Sequence, residues 1–99
     1  MRIVRAALSG PHQDPDRPGA LALLSDLIWA HAEAAHGLEH VRAKPAGQGV
    51  DLYLFLRAVS ETAALDQARA LLDGARAPLR AHGYRTAEPR PRRPHEGTP

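Results

Sequence analysis

The sequence predicts an α+β fold, an antiparallel sheet with two helices on one face, and three observations carry that reading. The stretch VDLYLFLRAVS, residues 50–60, alternates with a period of two and is apolar on both of its faces. Two longer stretches, 20–37 and 60–83, repeat their apolar residues at helical spacing. The connection PAGQG, 45–49, is short and Gly-bearing, which joins two antiparallel strands. In chain order the elements read βαββα(β), the order of a ferredoxin-like sandwich.

Each element has its own local reason. In RIVRAAL, residues 2–8, Val4, Ala6 and Leu8 share one face of a strand and Ile3, Arg5 and Ala7 the other. GPHQDPDRPG, 10–19, is a loop, with Asp16 placed to cap a helix and Pro18 to enter its first turn. The first helix follows over 20–37, with Leu21, Leu24, Leu27, Ile28, His31 and Ala35 on its apolar stripe and Gly37 as its stop. LEHVRAK, 38–44, is the second strand, in which Leu38, His40, Arg42 and Lys44 face away from Glu39, Val41 and Ala43. After the third strand, Ser60, Glu61 and Thr62 open a helix whose stripe is Ala64, Leu65, Ala68, Leu71, Leu72, Ala75 and Leu79. Pro78 predicts a kink or a restart there, because it has no N–H to donate. YRTA, 84–87, is a last edge strand.

Ninety-nine residues fit one domain. Residues 1–87 are expected to form it, and 88–99, EPRPRRPHEGTP, a disordered Pro/Arg-rich tail. The absence of cysteine excludes disulfides, thiolate zinc sites and thiol nucleophiles. MRIVRAAL lacks the apolar core of a signal peptide, and no stretch approaches the roughly 18 apolar residues of a membrane span, so a cytoplasmic protein is expected. Twelve arginines, one lysine and abundant Ala, Gly and Pro fit the coding bias of a GC-rich bacterial genome. The formal net charge is only +2, so bulk electrostatics disfavours a nucleic-acid partner.

The functional reading rests on the third strand. If Val50, Leu52, Leu54 and Leu56 lie under the helices, Asp51, Tyr53, Phe55, Arg57 and Val59 lie on the open face. The ferredoxin-like order flanks them with Ile3, Arg5 and Ala7 on one side and Leu38, His40, Arg42 and Lys44 on the other. Arg5, His40, Arg42, Tyr53, Phe55 and Arg57 are therefore the candidate binding residues, and Ile3, Leu38, Val59 and Trp29 the candidate interface anchors. Three occupants fit such a face. A second copy or a protein partner makes the chain a non-enzymatic accessory or regulatory protein, the leading expectation. A small anionic ligand gripped by arginine makes it a binder, or an enzyme of the cofactor-independent dimeric α+β barrel kind. A single-stranded nucleic acid would stack on the Tyr-x-Phe pair, but the rest of the RNA-recognition pattern is missing, and such a pair is ordinary in strands.

The remaining singular residues point to structure more than to chemistry. His31 and His36 are five apart and face different directions on a helix, which argues against a helical zinc pair, and His31 reads as a buried or edge histidine bonded to the backbone. Trp29 lies on the flank of the helix, where it either covers the edge or anchors a contact. PRPRRP has the composition of a basic polyproline ligand, although short Pro/Arg ends are more often bystanders. No Gly-rich phosphate loop, Ser-centred elbow or paired acidic constellation is present, and no cofactor or metal is expected.

Overall fold

The computed structural model describes residues 1–10, 19–47 and 49–92, apart from the side chain of Ala20. Strand β1 is Arg2–Ser9, helix α1 is Ala20–His31, and a 3-10 turn at Ala34–His36 leads into β2, Leu38–Ala46. Strand β3, Gly49–Leu56, and helix α2, Glu61–Ala81, follow, and two short strands, β4 at Arg85–Thr86 and β5 at Arg90–Pro91, close the described chain. The strands form one five-stranded antiparallel sheet in the order β2, β3, β1, β4, with β5 also paired to β1. Among the described residues no helix is long and apolar enough to cross a membrane.

Alternation decides the layers. Val4, Ala6 and Leu8 of β1, Val41 of β2, and Val50, Leu52, Leu54 and Leu56 of β3 join Leu24 and Ile28 of α1 and Ala64, Ala68, Leu71, Leu72, Ala75 and Leu79 of α2 in one buried cluster. Both helices therefore pack on the same face of the sheet. The apolar surface removed from water there is the main stabilising term, at about 25 cal/mol per Å². Strand β3 lies between β1 and β2, paired to both along its length.

Helix α1 stops six residues before Gly37. Ala32 is already extended, and the chain re-enters a single tight turn in which the Glu33 N–H donates to His36 Nδ1 at 3.0 Å. His36, not His31, is thus the buried histidine bonded to the backbone, and Ala35 is exposed rather than on the stripe. Gly37 ends this turn with φ 67°, and a Cβ there would stand 2.6 Å from the Arg57 carbonyl oxygen, so only glycine fits. Gln67 of α2 fastens the junction, donating from Nε2 to the carbonyls of His36 at 2.7 Å and Arg57 at 3.0 Å.

Helix α2 starts as expected, with Ser60 Oγ accepting from the Ala63 N–H at 3.0 Å. It does not restart at Pro78 but runs through it to Ala81. The missing N–H falls in the last turns, where a single backbone bond is lost and the residue four back is an uncrowded Gly74. The caps expected from Asp16 and Pro18 lie outside the described residues, and the N-cap position of α1 is Gly19.

The expected boundary at residue 87 needs correction. Glu88 bonds to Arg69 of α2, Pro89 is buried, Arg90–Pro91 pairs with β1, and the Arg92 N–H donates to the Ile3 carbonyl at 3.1 Å. Residues 88–92 therefore complete the sheet edge rather than begin a tail. Proline is tolerated there because an edge strand has a side on which no N–H is needed. The rest of the expected tail, 93–99, lies outside the described residues.

Candidate functional site

Register builds the open face row by row, because residues directly opposite in neighbouring strands share a face. Tyr53 pairs with Arg5 on one side and Arg42 on the other, and Arg5 in turn pairs with Arg90. One row across four strands therefore reads Arg42, Tyr53, Arg5, Arg90. The row on one side is His40, Phe55 and Ile3, and that on the other is Lys44, Asp51 and Ala7. Arg42, Arg5, Arg90 and Lys44 face the single carboxylate of Asp51, a formal +3 on this face when the whole chain carries +2. Outside these rows the described residues carry as many carboxylates as arginines, seven of each, so the net charge of the described residues lies in these rows.

Tyr53 is only 6 % exposed, although it lies outside the cluster beneath the helices. Its neighbours in register are long arginines, whose aliphatic stems cover apolar surface while their heads stay in water. Phe55 is half-buried, and the His40 ring meets it edge-on with centroids 5.2 Å apart and planes at 61°. Arg5 Nη1 lies 3.9 Å from Asp51 Oδ2, a long ion pair between half-exposed and largely covered side chains. The open face is therefore not the bare apolar patch that the strand pattern implies. Its two rings are covered or half-buried, and cationic residues flank them in register.

Arg5, His40, Arg42, Tyr53, Phe55 and Ile3 are brought together as expected, and four other candidates are not. A register shift between Leu38 and His40 makes Glu39 an extra residue, so Leu38 pairs with Leu56 and packs against the core instead of lying beside His40. The sheet ends at Leu56, which leaves Arg57 exposed in the connection to α2, its N–H donating to the Gly37 carbonyl at 2.8 Å. Val59 is 94 % exposed in the same connection, off the sheet altogether. Trp29, 44 % exposed, lines a separate cleft of about 350 Å³ with Leu38, Arg57, Glu33 and Glu39.

Arg90 is the member that sequence reading missed. Its signal was the alternation of arginine with proline at 89–92, which also fits an edge strand. Among the described residues no group of three or more His, Asp or Glu side chains gathers as a metal site. Compared with family models, curated proteins and solved structures, the chain matches none.

Proposed function

We propose that this protein is a small non-enzymatic interaction module whose open sheet face docks an acidic segment of a protein partner. We read its fold as a ferredoxin-like sandwich in which β4 and β5 share the last edge position, and β3 displays the docking row. The observation that carries the proposal is the row Arg42, Tyr53, Arg5, Arg90, a covered ring flanked by guanidiniums across four strands. Arginine forks hold carboxylates in two parallel hydrogen bonds, so the row supplies geometry as well as charge.

The span supports a peptide over a small ligand. Neighbouring strands lie roughly 4.8 Å apart, so Arg42 and Arg90 stand about 14 Å apart across the sheet. An extended segment of about four residues covers that distance. Base stacking would need exposed ring faces, whereas Tyr53 is covered and Phe55 is half-buried with the His40 ring against it. A second copy docked face to face would oppose like cations, with Asp51 the one carboxylate in these rows. Acidic side chains reach the guanidinium heads without moving the rings.

Fluorescence anisotropy with a ten-residue peptide alternating Glu and Ser tests this. Binding is expected at low salt, weakened at least ~10-fold by Arg42→Glu with Arg90→Glu and progressively by salt. Tighter binding of an oligothymidylate than of the peptide, or a stable dimer in sedimentation equilibrium that excludes it, overturns the proposal.

A further inference from the structure

We propose a second, separate site: the cleft between the end of α2 and β4 binds a small di- or triphosphate. Arg76, Arg80, Tyr84, Arg85 and Thr86 line an opening of about 540 Å³, within the range of small-ligand sites. No carboxylate is among the described lining residues. Three guanidiniums and the Thr86 hydroxyl make a donor-rich wall suited to a multiply charged anion.

The arrangement follows from how the helix ends. Arg76 and Arg80 are four residues apart and so lie on one face of α2, where like charges repel. The chain then reverses at Gly83, φ 87°, with the Gly83 N–H donating to the Arg80 carbonyl at 2.9 Å and the Tyr84 N–H to the Leu79 carbonyl at 2.9 Å. That turn carries Arg85 back beside the two helical arginines. The negative end of the helix dipole accounts for a cation at Arg80 but not for the third one, Arg85, on the strand. Arg76 is held by Asp73 at 2.6 Å, whereas the side chains of Arg80 and Arg85 make no hydrogen bond or ion pair with any described residue. Two uncommitted forks and one shared fork converge on one opening, whose floor is the buried Tyr84.

Phosphate is the ligand class that this chemistry selects. A planar guanidinium pairs with two phosphate oxygens at once, and a di- or triphosphate offers enough oxygens for three such forks. The site does not involve Arg5, Arg42 or Arg90, so it stands or falls independently of the sheet face.

Isothermal titration with inorganic pyrophosphate and inorganic triphosphate, at constant ionic strength, tests it. One ligand per chain is expected, tighter for triphosphate, with a loss of at least ~10-fold in Arg80→Gln with Arg85→Gln and no change in Arg42→Gln with Arg90→Gln. Should the double variant fail to fold, Arg80→Lys and Arg85→Lys singly keep the charge but lose the fork, and each is expected to weaken binding by less. Absence of binding, binding unaltered by the Arg80 and Arg85 changes, or a stoichiometry well above one overturns the proposal.

Discussion

On one side of β3, Leu52, Leu54 and Leu56 have no exposed surface and share a cluster with both helices. On the other side, Tyr53 is almost as well covered, yet its neighbours in register are Arg5 and Arg42. Equal burial thus has two causes in one strand. Beneath the helices it comes from close packing of branched apolar side chains, which is costly to disturb. On the open face no helix lies over the ring, and its neighbours in register are long charged side chains of the kind whose stems can shield apolar surface. The first face specifies the fold, and the second is the one on which the proposed docking rests.

The sharpest way to break this contrast is to remove packing on the helix side. Leu54→Ala is expected to cost about 3 kcal/mol, because the site is enclosed on every side and leaves a cavity. Urea denaturation followed by circular dichroism measures it. A loss below about 1 kcal/mol would mean that the cluster relaxes around the gap and is less rigid than its burial implies.

The helix side was legible in the sequence because strand periodicity and burial enforce each other. A one-residue slip in β3 would have turned all of its leucines to water, so the alternation of Val50 to Leu56 favours the leucine face as the buried one. The open face was legible only in its centre. The extra residue at Glu39 has no compositional mark, yet it moves Leu38 from the open face to the core. Past Leu56 the pattern of alternation runs on through Arg57 and Val59, although the chain has left the sheet to reach the Ser60 cap. The arginines and prolines at 89–92 read as a tail because nothing local shows that β1 has an unpaired edge to receive them. Long-range pairing decided these three points, and local propensity is silent on it.

A smaller effect is expected on the open face. Phe55→Asp removes a half-buried ring and its edge contact with His40, and places a carboxylate among cations. The expected loss is about 1–2 kcal/mol, with cooperative unfolding retained. Capture of the acidic peptide should fall in parallel, since the new charge repels it. If the variant instead loses its fold as completely as a core aspartate would cause, the two sides of β3 are mechanically one, and the division drawn above is wrong.

The smallest effect concerns the buried Tyr84. Tyr84 belongs to the cluster beneath the helices, and burial pushes its phenol above the ordinary value of 10.0. The folded state therefore holds the phenolic proton more tightly than the unfolded chain does. Linkage sets the sign: this contribution to stability is whole below about pH 10, where both states are protonated, and is lost as pH rises through the folded value. Tyr84→Phe has no proton to lose, so its stability should decline less steeply between pH 9 and about pH 11 than that of the parent, read as denaturant midpoints at each pH. Parallel declines would mean that the ring can ionise in place with its oxygen in water, which would put the Tyr84 hydroxyl at the open mouth of the arginine cleft and not under the helices.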